Sequence, residues 1–409
     1  MKAMKALRYA TILLFALASI RVITGASNLT STGTASAALL LSVPIVLAAL
    51  GGLFSERAGV VNIGLEGMMI MGAWAGGFVG AKYGPWYGLI AAIIFGAVGA
   101  LVHAIATVTF GVDHVVSGVA INIIAAGLVR YLSTLLYKGG SWPGASQSPP
   151  IDPIPVNGLP VLSGGRFFGW QSPDVLMWIS EKNWFFISDV SSVLRGLTGD
   201  LSYVTIVAIA FVPLAYFILW KTAFGLRLRS AGEAPIAAES LGVNVYAMKY
   251  AGVVISGGLA GLGGGFLAIV AASNYQENQV AGRGYVGLAA LIFGNYRPGG
   301  LLAGAGLFGF ADALQLRDST AIHALLILIA LILVFVAFRN FKKGNNLSAG
   351  LSLAFAAGSL WFYFAVDELP GQLVTMTPYI ATLLVMALAS QRLRMPAADG
   401  IPYRRGGMG

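Results

Sequence analysis

Apolar runs of about twenty residues, separated by short polar junctions, make up most of the chain, and each is long enough to cross a bilayer as a helix. They fall at 8–26, 35–54, 63–82, 85–110, 113–136, 201–221, 250–272, 298–316, 321–339, 349–366 and 374–391. A further run, 284–294, is too short to span alone and is broken by "NYRPGG". It reads either as starting earlier, near Gln279, or as a half-helix shielded by other protein. Counting it as a crossing puts Lys2, Lys5, Arg8, Arg57, Lys221, Arg227, Arg229, Lys249, Arg297, Arg339, Lys342, Lys343, Arg392, Arg394, Arg404 and Arg405 on one side, 16 of the 25 Lys and Arg. The excess of Lys and Arg marks that side as cytosolic, with both termini there. The expected fold is all-α, a polytopic transmembrane bundle of about 10–12 spans in one domain, residues 1–409, with discontinuous helices.

The N-terminal "MKAMKALRYATILLFALASIR" resembles a secretory signal with Ala16-Leu17-Ala18 as a cleavage candidate. Its apolar stretch resumes after Arg21, so an uncleaved first span is expected.

Composition agrees with lipid as solvent. Of 409 residues, 57% are hydrophobic and 10% charged, against about 25% charged in soluble proteins. Cysteine is absent, which excludes disulfides and thiolate metal sites. His103, His114 and His323 lack metal-ligand spacing, so no metal is expected. The formal charge of +9 sits at the ends of apolar runs rather than on one basic face, which argues against nucleic acid as a partner.

Two junctions are longer than the rest. The outer segment 138–200 is rich in proline, from Pro143 to Pro173, and carries Trp142, Trp170, Trp178 and Trp184. It reads either as a solvated loop with interfacial tryptophans and a surface helix near 174–198, or as a docking surface for an external partner. In the inner segment 222–249, Pro235 suits a first helical position and Gly242 the residue past an end. The intervening "IAAESL" makes about two turns, ~10 Å, either a plain linker helix or a rigid peg for a cytosolic motor to push.

"GLGGGF" lies mid-span, where Gly257, Gly261 and Gly265 recur every four residues beside Ser256, Ala260, Gly264 and Ala268. That period serves close helix packing rather than phosphate binding. No G-x-x-x-x-G-K-[ST] loop is present, so the chain is not expected to hydrolyse a nucleotide itself.

Four polar residues within apolar runs are candidates for a solute path. On a helix, Asn62 and Glu66 would share one face. They either cap backbone and neighbouring helices or line a path for a polar neutral solute. Asn122 has the same two readings, with an interhelical hydrogen bond as the plainer one. Asp312, about 21 Å along its helix from Pro298, is more readily an ion-pair partner of Arg283 than a ligand contact. Glu56 and Arg57 read as a local turn pair at the inner boundary.

"GEAPIAAESLGVNVYAMKYAGVVISGGLAGLGGGFLA" resembles the cytosolic loop and following helix of permease subunits of bacterial ATP-binding-cassette importers, in the branch for branched-chain amino acids, simple sugars and nucleosides. "LGGLFSERAGVVNIGLEGMMIMGAWAG", "DHVVSGVAINIIAAGLVRYL" and "AGRGYVGLAALIFGNYRPGGLLAGAGLFGFADALQLR" are similar to its nucleoside and simple-sugar members, and "TPYIATLLVM" adds a C-terminal match. The resemblance implies a non-enzymatic inner-membrane subunit that imports nucleosides or related purines and pyrimidines. It implies a second homologous permease or a homodimer, two cytosolic ATPase domains carrying ATP-Mg, and an external binding protein or lipoprotein. No cofactor is expected on this chain. Glu233, Pro235, Ala237, Ala238, Glu239, Ser240, Leu241 and Gly242 would form the coupling helix entering the ATPase. Two stretches depart from the family pattern: the long 138–200 loop, and 318–368, which inserts an extra helical hairpin before Thr377.

Simple sugars such as ribose are the alternative substrate class, with riboflavin-like ligands a further one. An ion-coupled secondary transporter should show internal inverted repeats, and none is visible in the sequence. Histidines and acids are not clustered as a membrane enzyme would need.

Overall fold

The computed structural model describes residues 2–138, 144–317, 319–366, 369–388 and 393–406. Trp142, Pro143, Asp318, Glu368, Arg392 and the expected end of the last span beyond Leu388 lie outside these. Each apolar run is a helix: α1 Lys2–Thr24, α2 Thr32–Arg57, α3 Leu65–Tyr83, α4 Pro85–Ala104, α5 His114–Leu136. The outer loop contributes α6 Val175–Ser180 and α7 Ile187–Thr198. Then follow α8 Tyr203–Lys221, α9 Ala223–Glu233, α10 Pro235–Ser240, α11 Val245–Phe266, α12 Arg283–Phe293 and α13 Pro298–Arg317. The last are α14 Ser319–Lys342, α15 Asn346–Ala365, α16 Gly371–Thr375 and α17 Thr377–Leu388.

Among the described residues, eight helices are long and apolar enough to cross a membrane: α2, α4, α5, α8, α11, α13, α14 and α15. Glu66, Lys82 and several glycines lower the hydropathy of α3, and α12 has only 11 residues. Strand is confined to two-residue pieces. The multi-pass, all-α architecture follows directly from the run pattern. Several ends shift by a few residues, as where α11 begins at Val245 rather than 250, and the last run is broken where Met376 separates α16 from α17.

Two compact units divide the chain, where the sequence reads as one domain. The first contains residues 1–39, 157–201 and 309–381. Leu17, Ile20, Leu29, Leu314, Ala321 and Ile322 form its buried core, and α14 and α15 pack against each other. His323 stacks on Tyr363 at 4.5 Å there. The 138–200 segment buries several polar residues. Asp189 on α7 is buried, pairs with Arg21 at 2.9 Å and accepts the Thr30 hydroxyl. As a result α7 turns Ser188, Asp189 and Ser191 inward and Ile187, Leu194 and Leu197 outward. Phe15 of α1 meets Phe185 and Phe186 edge-on beside it.

The second unit, residues 40–156, 202–308 and 382–409, is built on α3, α4 and α11. Gly261 makes this possible: a Cβ there would lie 2.2 Å from the Ala92 carbonyl on α4, and one on Gly72 of α3 would lie 2.2 Å from the Gly261 carbonyl. Gly257 and Gly265 meet α4 as closely. Carbonyl-to-backbone approach of this kind leaves no room for a side chain, which is the physical content of the four-residue glycine period. Both α4 and α11 run on into π-helical turns, Ile105–Thr109 and Leu267–Ala271.

Candidate functional site

The second unit positions most of the residues that the sequence marks. Glu66 lies in the first turn of α3, and its Oε1 and Oε2 accept the N–H groups of Gly282 (2.8 Å) and Gly284 (2.7 Å). Gly282, at φ +82°, leads into α12. A half-helix buried in a membrane leaves its first N–H groups without partners, and its N-terminus carries partial positive charge. One carboxylate answers both needs. The approach is close enough that a Cβ on Gly284 would fall 2.5 Å from the Glu66 nitrogen.

Asn122 on α5 completes the junction. Its Oδ1 accepts the Gly67 N–H at 2.7 Å, while Nδ2 donates to the Ile63 carbonyl (3.0 Å) and the Tyr285 hydroxyl (2.8 Å). Thus α3, α5 and α12 are tied at one point.

Asn62 does not join Glu66. Helix α3 starts only at Leu65, so Asn62 sits in the connector before it and helical phasing does not apply. It is fully buried and donates to Ser256 Oγ on α11 at 2.9 Å. Asp312 lies half-buried on α13 in the first unit. Arg283 donates through Nη1 to the carbonyls of Gln279 and Val280. Nor do Glu56 and Arg57 form a local pair: Arg57 donates to the Tyr296 carbonyl at 2.9 Å and lies over the Trp220 ring.

A cavity of about 440 Å³ opens beside Glu66, walled by α3, α5 and the connector between α11 and α12. Its polar lining comes from Glu66, Arg130, Gln276, Glu277, Asn278 and Gln279, and Ile70, Ala73 and Val129 supply apolar wall. Arg130 and Glu277 approach to 3.5 Å across it. Ser273, Asn278 and Ala281 of the connector all have positive φ (+55°, +65° and +48°), an unfavourable conformation for side-chain-bearing residues. The connector is held in place by bonds from Tyr275 N–H to Ser148 Oγ and from Gln276 N–H to Gln279 Oε1. Behind the lining residue Tyr275, Trp74, Phe78 and Tyr137 stack nearly parallel, and Tyr275 meets Tyr137 edge-on. The volume falls in the range of small-molecule sites, roughly 300–1,000 Å³, and the mix of a few polar groups with apolar wall suits a polar neutral solute.

Apart from Glu66, the cavity's polar residues were missed in the sequence, although "NYQENQ" between two apolar runs is a visible polar cluster. Missed too is the meeting of two histidines on one peptide. Val61 N–H donates to His114 Nδ1 (3.2 Å), and the Val61 carbonyl accepts from His103 Nε2 (3.1 Å). The carbonyl acceptor requires the Nε2 proton of His103, and Nδ1 bonds Ser117 Oγ at 2.8 Å. The pair clamps the connector into α3.

In the segment between α8 and α11, Thr222 caps α9 through the Gly225 N–H (3.1 Å), and Asn244 caps α11 through the Ala247 N–H (3.1 Å). Between them, Pro235 opens α10 and Gly242, at φ +82°, closes it by donating to the Glu239 carbonyl at 2.8 Å. Ala238 alone of the helix is buried, while Ile236 is 50% and Leu241 86% exposed. Glu233, Ala237 and Ser240 are exposed as well. The result is a six-residue peg with an apolar tip.

Comparison with known proteins gives a consistent set. Residues 34–337 match the family described as branched-chain amino acid transport system / permease component. The guanosine ABC transporter permease protein NupQ of Bacillus subtilis is 36% identical over 90% of this chain and 96% of its own length. The nucleoside ABC transporter permease protein NupC of Lactococcus lactis is 32% identical over 89% of this chain and 94% of its own. A putative glucose ABC transporter permease protein of Haloferax volcanii, TsgC13, is 33% identical over 72% of this chain and 80% of its own. No solved structure matches the chain.

Proposed function

The chain belongs to the family of branched-chain amino acid transport system permease components, and on that premise we propose that it is the membrane subunit of an ATP-driven nucleoside importer. The observation that carries the substrate class is the coverage of the relatives. The guanosine permease NupQ and the nucleoside permease NupC align along 90% and 89% of the chain, whereas the glucose permease TsgC13 aligns along 72%. The cavity supports the reading chemically, because amide, carboxylate and guanidinium groups in an otherwise apolar wall can meet ribose hydroxyls and base nitrogens.

In this mechanism the chain performs no bond chemistry. ATP-Mg is bound and hydrolysed on cytosolic ATPase subunits, whose closure displaces α10 through its exposed Ile236 and Leu241. The glycine seams of α3, α4 and α11 carry the displacement as a tilt of packed helices, exposing the cavity alternately to the two sides. Glu66 keeps the start of α12 joined to α3 throughout. An external binding protein delivers the solute, and both termini and α10 face the cytosol of a cell membrane. A second homologous permease completes the pore. Its support is that Bacillus subtilis has two guanosine permease proteins similar to this chain, NupQ and NupP.

Competition in proteoliposomes holding the complete transporter tests the substrate class. Excess nucleosides should suppress labelled guanosine uptake while ribose and glucose leave it unchanged. Suppression by ribose or glucose as strong as that by nucleosides would overturn the assignment.

A further inference from the structure

Residues 393–406 return to the coupling segment and bind several elements of the second unit. The Arg394 N–H donates to Asn295 Oδ1 (2.7 Å) in the turn after α12, and the Ala398 N–H to the Gly232 carbonyl (3.0 Å) near the end of α9. Gly400 lies against Val61 in the connector that leads into α3. The Tyr403 ring sits 5.4 Å from Tyr246 on α11, whose hydroxyl donates back to the Tyr403 carbonyl. The tail then reaches the peg itself: the Tyr403 hydroxyl donates to Glu239 Oε2, and Arg405 Nε lies 3.1 Å from Oε1.

Helix α10 needs such a tie. Six residues are far too few to be stable through their own hydrogen bonds, and only Ala238 is buried. Among the described residues, the side-chain hydrogen bonds that reach α10 from outside the 222–249 segment come from Tyr403 and Arg405. The Tyr403 bond holds the Glu239 carboxylate below its usual range. Burial, with the Glu239 bond next, pushes the Tyr403 phenol up to about 12, so it is a donor at neutral pH. The same tail is anchored at its other end where the connector is tightest. A Cβ on Gly59 would lie 3.0 Å from Gly232 Cα and 3.3 Å from the Ala398 carbonyl, and Lys249 Nζ donates to the Gly59 carbonyl at 2.9 Å.

We propose that Tyr403 and Arg405 are positioning residues for energy coupling: through Glu239 they fasten the peg to the connector before α3 and the turn after α12. Movement of α10 therefore carries the tail, and the tail carries the inner ends of the elements that wall the cavity. The proposal rests on α10 being the element that the ATPase moves.

The absence of cysteine allows a direct test. A Glu239→Cys/Tyr403→Cys chain, in the complete transporter in proteoliposomes, is measured for uptake per ATP hydrolysed before and after bridging with a short bifunctional thiol reagent. Before bridging, ATP hydrolysis should persist while uptake per ATP falls several-fold; bridging should restore the ratio. Both states are the same polypeptide, so a folding defect cannot imitate the difference. Tyr403→Phe, which keeps the ring and loses the donor, should show part of the loss. A wild-type ratio before bridging, or no recovery after it, overturns the proposal. Deletion of 235–241 separates the two ideas. Uptake surviving that deletion would refute α10 as the coupling element. Uptake lost there but wild-type in the unbridged pair would refute only the tail.

Discussion

Glu66 on α3 and Gly284 on α12 are joined by a 2.7 Å hydrogen bond across 218 positions of sequence, from the Gly284 N–H to the Glu66 carboxylate. With the Gly282 bond, it makes one side chain the cap of a half-helix and a wall of the cavity at once. Replacing Glu66 by Ala leaves two N–H groups without acceptors, at about 1–3 kcal/mol each. The melting temperature in nanodiscs should fall clearly, and uptake with it. Glu66→Gln retains one acceptor and should fall less on both measures. Equal melting of wild type and Glu66→Ala would remove the cap from the account.

Gly261 provides a packing test independent of the cap. Its missing Cβ lets the α4 backbone approach, so Gly261→Leu should cost at least about 1–3 kcal/mol through overpacking. Thermal unfolding of the purified chain measures this, and an unchanged midpoint would contradict the close approach.

Arg130 and Glu277 should behave oppositely. Arg130 is 75% exposed, and such pairs contribute roughly 0–1 kcal/mol to stability. Arg130→Ala should therefore leave melting near wild type while changing the concentration dependence of uptake, because the pair crosses the cavity. A large stability loss with unaltered uptake would place the pair in a purely structural role.

The tail should respond to pH through Asp399. Burial pushes its carboxyl up to about 7, against Lys249 on α11 and with Glu56 and Arg57 of α2 also facing it. A free tail ionises near pH 3.9. Between that value and about 7 the docked form keeps a proton that the free form has lost, so docking weakens as pH rises through this window and levels off above it. Hydrogen exchange of residues 396–403 should be faster at pH 8 than at pH 6, after correction for intrinsic rates. Asp399→Asn should reduce that difference.

Local chemistry made much of this legible from residue order alone. Pro235 and Gly242 bracket a helix by backbone rules that need no tertiary knowledge, and the glycines of α11 announce close packing by their period. The partners of Glu66, by contrast, lie more than two hundred positions away, and no periodicity encodes them. Asn62 was misplaced because a four-residue spacing was read as helical where a connector holds the chain. The histidine clamp on Val61 and the tail on Glu239 arise only when distant segments fold together. Arg130 and Glu277 are unremarkable as exposed charges until α5 and the connector face each other.

The most direct measurement is guanosine uptake into proteoliposomes with and without the ATPase subunits, at fixed ion gradients. Uptake should require both the ATPase and internal or external ATP on its side, and vanish when residues 235–241 are deleted. Uptake driven by an ion gradient without the ATPase would contradict the account.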